Sequence, residues 1–222
     1  MTEPNNPIEC KYFTLAGGDA PFYRAVVVPF VDAIENDLFS NGIHRKDNPL
    51  DDCLKTNENV QNAPVLIAGI VGVILFVGAR IGGKILDEIY TAKIQPIVKR
   101  LFAQADRKLT PQLTCKKKMY QMGVWYEQQR VLILVAIIGC SFEEILNQHD
   151  LLTTIHANAV CWITENGLQK PIHLYRLEGG KVNAVPLLFD SLMEAQRDIS
   201  IKPRQNEHDA TDERIAKGNF SP

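Results

Sequence analysis

The stretch that decides the fold lies at residues 63–79 and is APVLIAGIVGVILFVGA. None of its side chains is charged or strongly polar, and Arg80 and Lys84 lie within the five residues that follow it. A helix rises about 1.5 Å per residue, so the roughly 20 residues available would span the hydrocarbon core of a bilayer. A buried helix of a globular protein is the alternative, but such a helix rarely stays apolar on every side over this length. We therefore predict one transmembrane helix at residues 64–83.

Small residues spaced four apart recur along this predicted helix, and such spacing lets two membrane helices pack closely. We expect the helix to contact a second copy of the chain or a partner membrane protein through these residues. We also expect two basic side chains at its end to reach the lipid headgroups. The predicted helix contacts are Ala68, Gly72, Gly78, Ala79, Gly82 and Gly83, and the predicted headgroup contacts are Arg80 and Lys84.

The sequence on either side of this stretch predicts a chain of four segments. They are a polar N-terminal segment with one helix at residues 1–62, the transmembrane helix with an amphipathic extension at 63–109, a small α+β domain at 110–201, and a disordered tail at 202–222. Within the first segment, residues 1–20 are predicted to be loose. The helix that follows has apolar residues spaced along one face, namely Val28, Val31, Ile34 and Leu38.

The third segment carries alternating or continuous apolar runs that predict strands. These runs are KKMYQMGVWYE, RVLILVAIIG, NAVCWITE, PIHLYRLE and KVNAVPLLF, with turn signals at Asn166-Gly167 and Gly179-Gly180. A capping box from Ser141 to Glu144 predicts a helix that ends near Ile155, and a second short helix is expected at residues 191–199. The predicted fold class is α+β, with one transmembrane helix continuing into an amphipathic helix, then a small mixed sheet domain with two helices.

Charge and cysteine content argue against several functions. The net charge is −2, so the chain has no general attraction for nucleic acid, and we expect none as a partner. The five cysteines form no CxxC pair, which indicates neither a zinc site nor a disulfide framework. We expect no metal and no cofactor.

No motif in the sequence predicts catalysis. Gly78 to Lys84 matches the glycines and lysine of a phosphate-binding loop, but Ile85 stands where that loop needs a magnesium-binding hydroxyl. The histidines form no HExxH motif, and no GxSxG element is present. We therefore expect a protein that is not an enzyme and has no small-molecule substrate.

The basic residues that follow the apolar stretch outnumber those that precede it, which places the C-terminal domain in the cytoplasm if the helix spans a membrane. This layout resembles that of the small inner-membrane entry-exclusion proteins of conjugative plasmids. The resemblance implies a membrane-anchored interaction protein of the bacterial inner membrane that recognises a component of the mating apparatus and blocks redundant DNA transfer. Two alternatives remain, namely an oligomeric membrane-perturbing effector or channel in antiviral defence, and a scaffold of a secretion system.

Overall fold

A mixed sheet of eight strands forms the centre of the part of the chain that the structure describes. The computed structural model describes residues 10–40, 42–46, 67–78, 96, 100, 117–139 and 151–201. The strands are β1 (Cys10–Gly18), β2 (His44–Arg45), β3 (Ile67–Val77), β4 (Lys117–Tyr126), β5 (Val131–Gly139), β6 (Ile172–Glu178), β7 (Lys181–Val182) and β8 (Leu187–Phe189). The helices are α1 (Ala20–Phe22), α2 (Val28–Ser40), α3 (Leu151–Asn166) and α4 (Leu192–Ile201), with a π-helical turn at Tyr23–Val27 joining α1 to α2.

The strands lie in the order β2-β1-β3-β4-β5-β6-β7, and β8 also pairs with β6. The β1–β2, β3–β4 and β5–β6 pairs are parallel, and the remaining pairs are antiparallel. Strands β4 and β5 form a hairpin, in whose turn Arg130 has a φ of 53°. The middle of the sheet is thus built from β3, β4 and β5, and short strands lie at both margins.

Both faces of the sheet are covered, so its central strands are apolar on both sides. On the α2–α3 face, the sheet packs against the helical segment from Phe22 to Leu38 and against Ile155, Ala159 and Ile163 of α3. On the α4 face, it packs against Leu192, Ala195 and Ile199. All nine residues of β5 are buried, which is the pattern of a strand enclosed between two layers.

The predicted transmembrane helix is wrong, because residues 67–77 form strand β3 between β1 and β4. No helix in the described part of the chain is long and apolar enough to cross a membrane. A strand that is buried on both faces of a sheet is apolar at every position. Its hydrophobic pattern therefore does not distinguish it from a buried helix. The composition does separate them, since six of the 11 residues are Val or Ile, whose branched side chains favour strands.

The predicted fold class is therefore corrected to one large mixed sheet with few helices. The sheet joins strands from each of the first three predicted segments, because β1 pairs with β3 and β3 pairs with β4. Residues 10–18, predicted to be loose, form β1. The predicted strand NAVCWITE lies inside α3, which continues to Asn166, and KVNAVPLLF is divided into β7 and β8. The amphipathic extension, the capping box and the tail lie outside the described residues, apart from Pro96 and Arg100, which are helical.

Two glycines of β3 allow close packing within the sheet. A Cβ on Gly69 would lie 2.7 Å from Cγ of Phe22 and closer still to two other atoms of that ring. A Cβ on Gly72 would lie 2.8 Å from Cβ of Gln121 and closer still to its carbonyl oxygen. Because these glycines have no Cβ, Gly69 leaves room for the Phe22 ring and Gly72 leaves room for strand β4.

Candidate functional site

Polar side chains are buried between α3 and the sheet, beginning with a tyrosine–histidine pair. Oη of Tyr126 lies 2.7 Å from Nε2 of His156, and the two rings stack with centroids 5.9 Å apart. Burial lowers the pKa of His156 to about 4, so its ring is neutral at pH 7. A neutral ring can share a hydrogen bond with the tyrosine without bringing a charge into the core.

A second histidine lies farther along the same interface. His173 of β6 meets Trp162 of α3 edge-on, with ring centroids 5.3 Å apart, and its Nε2 lies 3.0 Å from the carbonyl oxygen of Lys170. Burial lowers the pKa of His173, although this backbone contact acts in the opposite direction. Burial also raises the pKa of the nearby Tyr175 to about 12, so both side chains are neutral at pH 7.

These side chains pack α3 onto the sheet and offer little to a substrate. Tyr126 is 3% exposed and His156 is 8% exposed, so a reacting group in solution has almost no access to the pair. Among the residues that the structure describes, no group of three or more His, Cys, Asp or Glu side chains could hold a metal ion. The interface under α3 is therefore a buried polar contact of the fold.

At the margin of the sheet formed by β7 and β8, a side chain occupies backbone groups of β6. Oδ1 of Asn183 accepts a 2.5 Å hydrogen bond from the backbone nitrogen of Arg176. Its Nδ2 donates to the carbonyl oxygens of Leu174, at 3.4 Å, and Val185, at 2.6 Å. Asn183 thus satisfies backbone groups of β6 that lie between the two short strands, and a further strand would find them occupied.

Along the opposite margin, most of β1 has no strand beside it among the described residues. Strand β2 pairs only with the start of β1, where the backbone nitrogen of Lys46 donates to the carbonyl oxygen of Tyr12. Residues 13–18, which we call the open edge, have no strand on that side among the described residues. The main-chain donors and acceptors on that side of the open edge are therefore not bonded to another described strand.

The Tyr12 contact fixes which backbone groups point outward. The N–H and C=O groups of alternate residues in a strand point to opposite sides, and those of Tyr12 point away from β3. The same must hold for Thr14, Ala16 and Gly18. Within the open edge, these three residues present their N–H and C=O groups outward, whereas the residues between them bond to β3.

One side of α2 carries apolar surface and faces β2. Val28, Val31 and Glu35 are three and four residues apart, so they share one stripe of the helix. An ion pair of 3.0 Å joins Glu35 to Arg45 of β2, so this stripe faces the β1–β2 margin. Val28 is 41% exposed and Val31 is half-buried. The open edge and this stripe together form the candidate site.

The residues predicted from the sequence as a site are not brought together on a helix. Ala68 and Gly72 lie in β3, and Gly78 directly follows it. The other predicted helix contacts, Ala79, Gly82 and Gly83, and the predicted headgroup contacts, Arg80 and Lys84, lie outside the described residues. The open edge was not predicted from the sequence, because residues 1–20 were predicted to be loose. The signal for a strand was the apolar and aromatic run from Tyr12 to Ala16.

Comparison with known proteins identifies no relative, because no family model, no curated protein and no solved structure matches this chain. The comparisons therefore test neither the resemblance to entry-exclusion proteins nor the predictions on catalysis and partners. The membrane span that supported that resemblance is absent from residues 67–77, so a single-pass location in the inner membrane has no support from the described residues.

Proposed function

We propose that the protein is a non-enzymatic interaction protein that binds an extended polypeptide by adding it as a strand to the open edge. The observation that carries this proposal is the outward backbone of Thr14, Ala16 and Gly18, which lacks a strand partner among the described residues. In strand addition, main-chain hydrogen bonds supply affinity and neighbouring side-chain contacts supply specificity. The stripe at Val28 offers such a contact.

The composition of the open edge favours this use. Exposed edge strands are usually protected by charged side chains, by proline or by a bulge. Residues 13–18 are FTLAGG, and they contain no charged residue and no proline. The margin at β8 differs, because Asn183 occupies the outer groups of β6 and Pro186 precedes the strand. These differences favour strand addition at the open edge over strand addition to β6.

Site-specific photocrosslinking in cells tests the proposal. A p-benzoylphenylalanine residue replaces Ala16 in one variant and Leu168, an exposed residue after α3, in the control. We expect a discrete polypeptide adduct from position 16, which is reduced several-fold when Thr14→Pro is added. This proline removes an outward N–H and leaves the ladder to β3 intact.

Two results would contradict the proposal. One is an identical set of adducts from positions 16 and 168, and the other is an adduct at position 16 that Thr14→Pro leaves unchanged. Mass spectrometry of the adduct identifies the bound segment, and thermal unfolding of the Thr14→Pro variant checks that the fold is retained.

A further inference from the structure

We propose that α3 is a cover of the sheet that acid releases, because it is held by two histidine contacts that protonation of the rings weakens. Release leaves the strand ladders in place and uncovers an apolar face of the central strands. This inference does not depend on strand addition at the open edge, since it concerns a different part of the molecule.

The two histidine contacts lie on either side of β5. His156 of α3 contacts Tyr126 of β4, with Nε2 of the histidine 2.7 Å from Oη of the tyrosine. His173 of β6 contacts Trp162 of α3, with ring centroids 5.3 Å apart. Strand β5 lies between β4 and β6, so these contacts join α3 to the sheet at two separate points.

The apolar contact between α3 and the sheet comes from one stripe of the helix. Ile155, Ala159 and Ile163 are buried and lie four residues apart. The middle residue is an alanine, whose small side chain contributes little apolar area. The two histidine contacts therefore supply a substantial share of the packing between the described side chains of α3 and the sheet.

Both histidine rings lie in surroundings that favour their neutral form. His173 is completely buried, its Nε2 faces the carbonyl oxygen of Lys170, and its Nδ1 has no hydrogen-bond partner among the described residues. His156 is 8% exposed. A proton added to either ring would bring a positive charge into this apolar layer. Accordingly, burial lowers the pKa of both rings, that of His156 to about 4.

In the described part of the chain, no carboxylate faces either ring to offset such a charge. The titratable groups that face α3 from the sheet are Tyr126 and Tyr175, and β5 carries none. Lys118 and Tyr120 lie at the opposite end of β4 from Tyr126. The remaining acidic and basic groups of α3, of α2 and of the loop before β6 are exposed or paired elsewhere, namely Cys161, Glu165, Asp32, Glu35, Asp37 and the Lys170–Asp190 pair.

The pH range of the release follows from the direction of these pKa changes. When α3 leaves the sheet, the histidines reach solvent and regain a pKa near 6.5, so the open form binds protons at a higher pH than the closed form. For His156 alone, the opening constant should rise about twentyfold between pH 7 and pH 5. His173 should add to this rise. The helix is therefore held at neutral pH and released increasingly below about pH 6.5.

Opening of α3 requires no strand to separate. The helix lies in the connection between β5 and β6, and the ladders are formed by the strands alone. Release uncovers apolar side chains on the face that α3 covers, among them Ile133 and Val135 of β5. The molecule would thus present an apolar surface at acidic pH that it keeps covered at neutral pH.

Native-state amide hydrogen exchange of the full chain, measured at pH 7 and pH 5 and corrected for intrinsic exchange rates, tests the release. We expect the opening constant of the amides at residues 157–163 to rise about twentyfold or more between the two pH values. At pH 5, the amides of β5 should remain at least about tenfold better protected than those of α3, because the sheet stays folded.

Histidine substitutions test whether these two rings cause the rise. His156→Gln and His173→Gln should each reduce the rise, and the double variant should make the opening of α3 independent of pH between 7 and 5. The readout is the change with pH, so it stays informative if a variant is less stable overall. His44→Gln is the matched control, because His44 is exposed on β2 and should leave the rise unchanged.

Four outcomes would overturn the inference. They are free exchange of the α3 amides already at pH 7, an opening constant that does not change between pH 7 and pH 5, an undiminished rise in the folded single variants, and equal opening constants for α3 and β5 at pH 5. The last result would mean that the molecule unfolds as one unit and that α3 is not released separately.

Discussion

Replacing Gly69 by alanine tests whether residues 67–77 form a strand packed under the Phe22 ring. The added Cβ would lie 2.7 Å from Cγ of Phe22 and closer to two other ring atoms, so the ring must move. Phe22 is 1% exposed and is part of the core on the α2–α3 face, so a shift of its ring must displace neighbouring core side chains. The substitution therefore creates an overpacked core.

The expected magnitude follows from two opposing effects. Overpacking of a filled core costs about 1–3 kcal/mol. Restricting the unfolded chain by replacing glycine with alanine stabilises by about 0.4–1 kcal/mol. The cost of overpacking is larger than the gain from restricting the unfolded chain, so Gly69→Ala should lower the free energy of unfolding by about 1–2 kcal/mol. For a chain of this size, each kcal/mol lowers Tm by about 2–4 °C.

Urea denaturation followed by circular dichroism measures this loss. The control is a double-mutant cycle with Phe22→Leu, whose smaller side chain makes room for the added methyl group. The two substitutions should be coupled by about 1 kcal/mol, so the double variant loses less than the sum of the single losses. A Gly69→Ala variant as stable as the native chain, or strictly additive losses, would refute the packing of β3 against Phe22. In a membrane helix, by contrast, the same substitution should be tolerated.

Three further predictions concern the margins and the interface under α3. Because the pKa of His156 is lowered to about 4 in the folded state, the unfolded chain binds more protons between about pH 6.5 and pH 4, and the free energy of unfolding should fall by up to about 3 kcal/mol across that window. His156→Gln should flatten this slope in denaturation series at several pH values, and an unchanged slope would contradict the assignment. Asn183→Ala should cost about 1–3 kcal/mol because it leaves backbone groups of β6 unpaired. The control Asn166→Ala, at an exposed helix end, should cost less, and equal losses would contradict the role of Asn183. Ser191→Ala should cost about 1 kcal/mol, measured by the same unfolding assay, because the Ser191 hydroxyl accepts from the backbone nitrogen of Glu194 at the start of α4, and an unaltered stability would argue against this cap.

Local patterns in the sequence predicted several strands correctly. Strands β4, β5 and β6 match the predicted runs, since each is a β-branched or aromatic run bounded by turn residues. The Gly179-Gly180 turn also matches, with both φ angles positive. The predicted helix at residues 191–199 corresponds to α4.

The errors arose where length or local alternation misled the assignment. Strand β5 was identified because its apolar run is too short to span a bilayer, whereas the run containing β3 is lengthened by apolar neighbours on both sides. The NAVCWITE run alternates like a strand, but it continues a helix that packs through Ile155, Ala159 and Ile163. Local pattern could not separate these alternatives, because the packing against other elements decides them.

The candidate site could not be predicted from the sequence. An edge is open or closed according to which strands pair across long distances in the chain. Residue Tyr12, for example, pairs with Leu75 on one side and Arg45 on the other. Nothing in residues 10–18 alone indicates that β2 ends after two residues.

Amide hydrogen exchange along β1, resolved by NMR in the full chain, tests the central claim most directly. In the free chain, we expect the outward amides of Thr14, Ala16 and Gly18 to exchange quickly and those of Leu15 and Gly17 to exchange slowly. When the segment that is crosslinked from position 16 is added as a peptide, the three fast amides should become protected while the two slow ones remain unchanged. Equal protection of all five amides in the free chain, or fast exchange of the three outward amides in the presence of that peptide, would contradict an edge that binds a further strand.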